Sequence, residues 1–510
     1  MTLSSMPPEI LHNIMESLSV GDIVRAAQSC SYLRAFVRSN KLPLANAYNS
    51  AYTLYLPLGS NTENMSSELL YENAAKSMAI SIRLGKSINC SPLEPRRSIT
   101  YSLEPLHTTW DETYRTVFFV RDKILAFHNL DGLFVLLLGP SGEIEEHTRT
   151  QLDLPGSKYE VAYHLSADEK SLFVVLVSVR AEENVMEVYE MCVAKEGFGA
   201  VTTYLDIRLP KSMYACQCVA IRDPYCLVAN SYSFFLVDWR AHTGGLYNLS
   251  SWKMDWILYD IKTILIHPKE PTLVIFDGGD SDHDLNSGIY VFDVPESLGR
   301  PLEDPQAMTS SNCHYSKTRQ SLAWKSPFSL QRCSQGKMCP IGFRCLCNSS
   351  WILDVMIIGR TSISQGLDSA ASIPTDNRAL VRVSFDSSDN WTAHVETIDA
   401  STVTSSLDNL TSHGNHRLAG SVCSYTFSKL AAQNALRIVF PKFEDGNGNG
   451  TGLIQLGVPA ELWTTDSASI DEDVLEDAWR FRLIQGPAIF DELTGRLYVR
   501  HPRGFQIIQY

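Results

Sequence analysis

The sequence has no long hydrophobic run and no excess of positive charge. No stretch approaches the roughly 20 apolar residues that a membrane-spanning helix needs, and the first residues do not form a secretion signal. We therefore expect no membrane segment and a cytoplasmic or nuclear location. The 57 acidic residues outnumber the 43 basic ones, which gives a formal net charge of -14. This balance argues against nucleic acid as a partner, because such domains depend on clustered Lys and Arg.

Cysteine is sparse for a disulfide framework, since 12 cysteines are spread over 510 residues. Without a secretion signal, reduced thiols are expected. The densest group of possible zinc ligands is Cys333, Cys339, Cys345 and Cys347, with Cys313 and His314 upstream. Structural zinc sites usually present ligand pairs about two to four residues apart, and only the last two cysteines approach that spacing. The sequence therefore favours a long loop with free thiols.

Sites for other metals and the common catalytic motifs are also missing. Residues 445–450 repeat the first half of a calcium loop, but Leu456 stands where the bidentate Glu is needed. The acidic run at residues 277–284 is typical of a solvated hairpin tip. The chain contains no Gly-x-Ser-x-Gly elbow, phosphate loop, dinucleotide fingerprint or His-Glu-x-x-His pair. We therefore expect no metal, no cofactor and no catalytic residues.

Three short helices are predicted in the first forty residues. Pro7 and Pro8 fit a first helical turn, and apolar residues then recur on one face, at Ile10, Leu11, Ile14, Met15 and Leu18. A second helix is predicted to begin at Ser19, with Asp22 placed as in a capping box. A third begins near Ser31. Domains below about 40 residues rarely have a sufficient core of their own, so either the rest of the chain or another protein must cover these apolar faces.

The residues of these helices resemble the F-box family. The matching positions are Met6-Pro7-Pro8-Glu9-Ile10-Leu11, Ile14-Met15, Leu18, Asp22-Ile23, Cys30 and Leu33-Arg34. Met6, Met15 and Leu33 depart from the family pattern but keep an apolar side chain. The resemblance covers less than a tenth of the chain, and an ordinary helical cap covered by the remainder of the protein is the alternative interpretation.

The resemblance implies a function in ubiquitination. F-box proteins bind a Skp-family adaptor, which links them to a cullin-RING scaffold, and they recruit a protein substrate to that ubiquitin ligase without catalysing the reaction themselves. The adaptor-binding residues that the resemblance implies are Met6, Pro7, Ile10, Leu11, Ile14, Met15, Leu18, Ile23, Cys30 and Leu33. Two alternatives stay open: a propeller-type hydrolase with a helical cap, and an F-box scaffold that acts outside ubiquitination.

The rest of the chain divides into a helical connection and a large β-rich part. Residues 41–98 have apolar residues at helical spacing and predict a helical stalk and connector. Residues 99–510 change to short strands separated by turn residues, in clusters near 117–138, 159–191, 216–238, 263–293, 351–399, 422–456 and 487–510. About seven units of this size are typical of a β-propeller.

The sequence thus predicts an α+β multidomain chain, with a three-helix F-box at residues 1–40, a helical stalk at 41–98 and a mostly antiparallel β-propeller at 99–510. A β-sandwich array is the alternative fold for the last part. Residues 295–350 are expected to form the longest insertion, where repeat proteins often bind partners. A strand near residues 99–103 is expected to join the last unit and thereby remove an exposed sheet edge.

Overall fold

The structure is a computed structural model. It describes residues 6–54, 62, 65–85, 93–106, 118–129, 131–151, 159–166, 168–180, 183–213, 216, 218–230, 233–248, 261–267, 272–277, 288–293, 300–302, 311–312, 337–345, 351–361, 375–385, 391–398, 426–430, 435–442, 452–458, 488–491, 494–501 and 504–510.

Helices come first along the chain. They are α1 (Pro8–Glu16), α2 (Val20–Ser29), α3 (Ser31–Ser39), α4 (Leu42–Ala45), α5 (Ser50–Thr53) and α6 (Ser67–Gly85). The three predicted starts are confirmed, including the capping box: Ser19 Oγ accepts the Asp22 backbone N–H at 3.1 Å and donates to Asp22 Oδ2 at 2.7 Å. Among the described helices, none combines the length and apolar character needed to cross a membrane.

Helices α1 to α4 share one hydrophobic core with α6. Leu70, Ala74 and Met78 of α6 pack against the buried side chains of α2 and α3. Gly21 permits the close approach of α2 and α6, since a Cβ at this position would lie 2.7 Å from Met78 Cε. The rest of the chain therefore covers much of the apolar surface that the three short helices cannot bury among themselves, and the expected stalk helix is part of the same small core.

The strands in the described residues form seven sheets, which we number by their position in the chain. Sheet 1 contains β2 (Phe118–Arg121), β3 (Ile124–Asn129), β4 (Gly132–Leu138) and β5 (Ile144–Thr150). Sheet 2 contains β6 (Tyr159–Leu165), β7 (Ser171–Arg180), β8 (Glu183–Cys192) and β9 (Val201–Arg208). Sheet 3 contains β10 (Cys218–Arg222), β11 (Tyr225–Ala229), β12 (Ser233–Asp238) and β13 (Thr243–Asn248), joined by the short β17 (Arg300–Pro301) and β18 (Ser311–Asn312).

The other four sheets follow the same up-and-down order. Sheet 4 contains β14 (Ile261–Ile266), β15 (Thr272–Asp277) and β16 (Gly288–Asp293). Sheet 5 contains β19 (Lys337–Cys345), β20 (Trp351–Thr361), β21 (Thr375–Phe385) and β22 (Trp391–Ile398), and sheet 6 contains β23 (Thr426–Leu430), β24 (Ala435–Lys442) and β25 (Gly452–Val458). Sheet 7 contains β26 (Ala488–Asp491), β27 (Arg496–His501), β28 (Gly504–Gln509) and β1 (Arg97–Ser102). Among the named strands, all pairings are antiparallel except that of β13 with β18; an isolated parallel bridge also joins Leu93 to Leu456 of β25.

The strand pairings bear on two predictions for residues 99–510, which concern the strand near residue 99 and the insertion at 295–350. The strand expected near residue 99 does pair with the final strands, because β1 lies antiparallel to β28 from Arg97 opposite Gln509 to Ser102 opposite Gly504. The expected insertion at 295–350 lies largely outside the described residues; within it, β19 pairs with β20. β17 and β18, also in that range, extend the edge of sheet 3.

Neighbouring sheets pack face to face, and sheet 2 shows how. In β7, Leu172, Val174 and Leu176 pack against side chains of sheet 1, whereas the alternate residues Phe173, Val175 and Val177 pack against sheet 3. Successive side chains of a strand point to opposite faces, so a sheet covered on both faces needs a continuous apolar run such as this one. Shared cores likewise join sheet 7 to sheet 1 and sheet 3 to sheet 4.

Side-chain hydrogen bonds also connect sheet 7 to sheet 1. The buried Arg496 side chain donates from Nη2 to the carbonyl oxygens of Gly139 and Pro140 in the β4–β5 turn, and from Nε to Gln509 Oε1 at 3.0 Å. The Tyr101 hydroxyl donates to the carbonyl oxygen of Gly142 in the same turn at 2.7 Å. One turn of sheet 1 is therefore held by side chains from two strands of sheet 7.

We predict that Arg496→Met lowers the free energy of unfolding by about 3 kcal/mol, because the carbonyl oxygens of Gly139 and Pro140 lose a charged donor that is itself buried. Chemical denaturation followed by tryptophan fluorescence measures the change. Arg97→Met is the matched control, since Arg97 is exposed on β1, the edge strand of the same sheet. An equal effect of the two substitutions would contradict a specific role for Arg496.

His164 should make the free energy of unfolding depend on pH. Burial, together with the positive charge of Arg222, lowers the pKa of His164 in β6 to about 4. The unfolded side chain titrates near pH 6.5, so the neutral form is favoured by folding. Stability is then greatest above pH 6.5 and is lost as the pH falls toward 4. We expect His164 to reduce the free energy of unfolding by about 2 kcal/mol between pH 7 and pH 5.

The expected pH dependence is measured as the unfolding midpoint of wild type and His164→Gln between pH 7 and pH 5. The variant should lose less stability on acidification because glutamine does not titrate. His147→Gln, which replaces an exposed strand histidine, serves as the control. Identical pH profiles for wild type and His164→Gln would refute the prediction.

Candidate functional site

Helix α1 has one apolar side packed in the helical core and a second apolar side in solvent. Leu11 and Met15 are 1% and 3% exposed, whereas Ile10 and Ile14 are 47% and 42% exposed. Ile10 and Ile14 are four residues apart and therefore adjacent on the helix surface. We call these two side chains the α1 ridge.

The structure divides the ten implied adaptor-binding residues by their burial. Three are exposed, namely Pro7, Ile10 and Ile14, and three are half-buried, namely Met6, Leu18 and Cys30. Four are buried in the helical core, namely Leu11, Met15, Ile23 and Leu33. The apolar pattern of the motif therefore includes both core residues and surface residues. Only the exposed and half-buried residues reach the surface of this chain.

Side chains far apart in sequence fix the position of α1 and α2. Asn46 Nδ2 donates to Glu16 Oε1 at 3.2 Å, next to the contact between α1 and α4. The buried Asn49 accepts the first free N–H of α2, from Val20, at 2.8 Å. At the other end of α2, Arg34 donates from Nε to the carbonyl oxygen of Ala27 at 3.2 Å, and so satisfies a helix terminus.

The sequence did not reveal these positioning roles. Asn49 lies 29 residues from its partner, and no local signal marks a contact of that length. Arg34 belongs to the recognised motif, but the motif alone does not say that its guanidinium caps the preceding helix. The ion pair between Arg38 of α3 and Glu68 of α6 is equally non-local.

Exposed apolar side chains are concentrated in the helical part of the protein. Among the described residues, the large apolar side chains with substantial exposure are Ile10, Ile14, Leu42, Tyr48, Leu69, Ile82 and Val201. All but Val201 precede the first strand. Scattered exposed apolar residues are normal, but this distribution places the unpartnered apolar surface on the helices and not on the described parts of the sheets.

The described part of the sheets contains one notable polar and aromatic cluster. Arg240 stacks on Trp239, with Cζ 4.4 Å from the ring centroid, and also approaches Phe173 and Tyr204. Its guanidinium pairs with Asp223 through two contacts, of 2.5 and 3.0 Å, and this pair raises the pKa of Arg240. Because the charge is already matched, the cluster acts as a clamp between sheets 2 and 3.

The sites considered for metals lie largely outside the described residues. This applies to Cys313, His314, Cys333 and Cys347, to residues 445–450 and to the greater part of the acidic run at 277–284. Cys339 and Cys345 belong to strand β19. Within the residues that the structure describes, no group of three or more His, Cys, Asp or Glu side chains is arranged to hold a metal ion.

The described structure combines a small helical module, which carries the α1 ridge, with a β-sheet domain. Residues 3–44 match the family model described as F-box domain. The F-box resemblance is thereby confirmed, and the match extends to residue 44, beyond the predicted boundary at 40. An F-box domain implies binding to a Skp-family adaptor in SCF-type complexes.

Known whole proteins show at most a weak similarity to this chain. No curated protein matches the sequence. Solved structures with some similarity include the fission yeast SREBP-SCAP binding domains, at 11% identity over 70% of this chain and 81% of that chain, with a TM-score of 0.31. Others are the S. cerevisiae core factor, at 10% identity over 75% and 63% with a TM-score of 0.30, and apo AztD from Citrobacter koseri, at 10% identity over 77% and 94% with a TM-score of 0.28. These scores are too low to support an argument about fold or function.

The two sides of α1 predict opposite outcomes for neighbouring substitutions. Leu11→Ala should lower the free energy of unfolding of the helical module by about 3 kcal/mol, because it leaves a cavity in the core. Ile10→Ala should change it by less than about 0.5 kcal/mol, because the side chain is exposed. Helical circular dichroism during urea titration measures both. Equal destabilisation by the two variants would contradict the division of α1 into a buried and an exposed side.

Proposed function

We propose that this protein is the substrate-recruiting subunit of a Skp-cullin-F-box ubiquitin ligase. The α1 ridge carries the proposal: two exposed isoleucines lie in a matched F-box domain, and the rest of the described chain leaves them uncovered. Completing the burial of both side chains against an adaptor would contribute about 1 kcal/mol each. The protein itself supplies no catalytic step in this proposal, and the linked cullin-RING scaffold belongs to the partner assembly.

The proposed adaptor surface is narrower than the motif. Pro7, Ile10 and Ile14 contact the adaptor directly, and the half-buried Met6, Leu18 and Cys30 border them. Leu11, Met15, Ile23 and Leu33 act from within the core by holding α1 and the neighbouring helices in place. This division follows from burial in the free chain.

The β-sheet domain is proposed to be a seven-bladed propeller that binds the protein substrate. Three observations support a ring: the seven sheets, the pairing of β1 with β28, and sheets that bury both faces against neighbours. Moreover, the first strands of neighbouring sheets lie beside one another, as with β6 and β10 and with β10 and β14. A two-layer sandwich would leave one face of each sheet to solvent, unlike sheet 2.

Substituting both residues of the α1 ridge tests the adaptor proposal. We expect Ile10→Asp with Ile14→Asp to weaken binding of a purified Skp-family adaptor at least about 100-fold, because two charges would be buried at an apolar interface. Isothermal titration calorimetry measures the affinity. The side chains are exposed in the free chain, so the variant should keep its circular dichroism spectrum. Leu11 is unsuitable for this test because its substitution disrupts the core.

The matched control is Leu69→Asp with Ile82→Asp, which introduces the same charges at two exposed apolar positions of α6. This control should bind the adaptor like wild type. Unchanged affinity of the ridge variant would refute the proposed surface. Purification of the complex from cells distinguishes a ligase subunit, which brings cullin with the adaptor, from a scaffold that does not.

An enzyme is the second candidate, as a propeller-type hydrolase whose helices serve only as a cap. The absence of familiar motifs from the sequence does not exclude it. The proposal of a cytoplasmic or nuclear recruitment protein, without nucleic-acid or membrane partners, rests on the acidic composition and on the F-box. Hydrolysis of a small substrate by the purified, adaptor-free chain would favour the enzyme instead.

A further inference from the structure

The outer edge of sheet 3 is covered by a distant segment of the same chain. The up-and-down path of this sheet ends at β13, but the chain returns from sheet 4 and adds β17 and β18 to the other side of that strand. β17 pairs antiparallel, with Pro301 opposite Thr243. β18 pairs parallel with the last two residues of β13. We call the outer side of Thr243–Asn248 the β13 edge.

The added strands pair with β13 less extensively than its inner neighbour does. β12 pairs with β13 at six positions, whereas β17 pairs at one position and β18 at two. β17 and β18 also run in opposite directions along β13, so they do not form one continuous strand. A single extended chain that lies straight along the β13 edge can therefore make more ladder hydrogen bonds than this segment makes.

The β13 edge lacks the charges that protect other outer strands. β5, β9 and β1 are the outer strands of sheets 1, 2 and 7, and each carries an exposed charged side chain, as at Glu146, Asp206 and Arg97. The six residues of β13 include no charged one. Charged side chains on an edge strand discourage pairing with another chain. The composition of β13 therefore permits the addition of a strand.

One aliphatic side chain anchors the covering segment. Leu302 directly follows β17, and its N–H donates to the carbonyl oxygen of His242 at 3.1 Å. The half-buried Leu302 side chain packs against the core that sheets 2 and 3 share. Gly244 makes room for it, because a Cβ at this position would lie 2.9 Å from Leu302 Cδ2. We call the space beside Gly244 the Gly244 notch.

We propose that the β13 edge is a strand-addition site for an extended segment of a substrate protein, which inserts an aliphatic side chain into the Gly244 notch and displaces β17 and β18. That the bound protein is a ligase substrate rests on the proposed function. In strand addition, main-chain hydrogen bonds give affinity and side-chain pockets give specificity. Pairing with all six residues of β13 offsets the high effective concentration of the tethered competitor.

A labelled peptide with the sequence of residues 296–304 tests the site on the full chain. Because the peptide is not tied to β16, it can lie straight along β13. Fluorescence anisotropy should show that Leu302→Asp binds it at least about tenfold more tightly than wild type, because the native leucine no longer fills the notch. The same peptide with its own Leu302→Asp should not bind, since a carboxylate would enter an apolar core.

Two further variants keep the test interpretable. Leu302→Ala is a milder change, and it should raise the peptide affinity about threefold even if the aspartate variant loses its native circular dichroism spectrum. Val201→Asp is the matched control, because it places the same charge at an exposed apolar position on the outer strand of sheet 2. Its peptide affinity should equal that of wild type.

Hydrogen exchange followed by mass spectrometry locates the bound peptide, and exchange should slow at residues 243–248. Equal affinity of wild type and both Leu302 variants, protection of another strand, or binding of the aspartate peptide would overturn the proposal. Dimerisation of Leu302→Asp in analytical ultracentrifugation would overturn it too, by assigning the β13 edge to a second copy of this chain.

Adaptor affinity is measured on the same proteins, since peptide binding does not require the adaptor. Adaptor binding without peptide binding would refute the β13 edge alone. Peptide binding without adaptor binding would refute the proposed function and leave the β13 edge as a peptide site.

Discussion

The pairing of β1 with β28 is the constraint on which the arrangement of the whole chain depends. The six residues of β1, the first strand after the helical module, form the edge of sheet 7, whose other strands come from the far end of the sequence. This pairing covers the β28 edge that would otherwise offer unpaired backbone groups. It also brings Tyr101 to the β4–β5 turn, where Arg496 binds, so that sheet 7 and sheet 1 are joined by backbone, aromatic and charged contacts at once.

The F-box helices depend on the rest of the chain to complete their hydrophobic core. The F-box helices are too short to bury their apolar residues among themselves, and α6 supplies the missing side of their core. The same helix precedes β1 in the sequence. The stability of the surface that we propose to bind the adaptor is therefore not a local property of the motif, because it depends on Leu70, Ala74 and the close approach of Gly21 to Met78.

Local patterns predicted local structure well. The Ser19–Asp22 capping box, the start of α3 at Ser31 and the uninterrupted apolar run of β7 each have a signal within a few residues. Burial was harder to predict, because Ile10 and Leu11 are adjacent, equally apolar and equally typical of the motif. What separates them is the position of α4 and α6, which depends on contacts such as that between Val20 and Asn49. The Arg240 clamp joins residues of two sheets, and no sequence period connects them.

The long separation between β1 and its partner has a consequence during synthesis. The two strands are about 400 residues apart, and at about 5–20 residues per second β1 waits roughly 20–80 s for β28 to be made. Closing a loop of this length costs about 5 kcal/mol of chain entropy, which the finished sheet must offset. For that interval the nascent chain carries an unpaired strand beside its first helices, and this is the stage at which a chaperone would have most to protect.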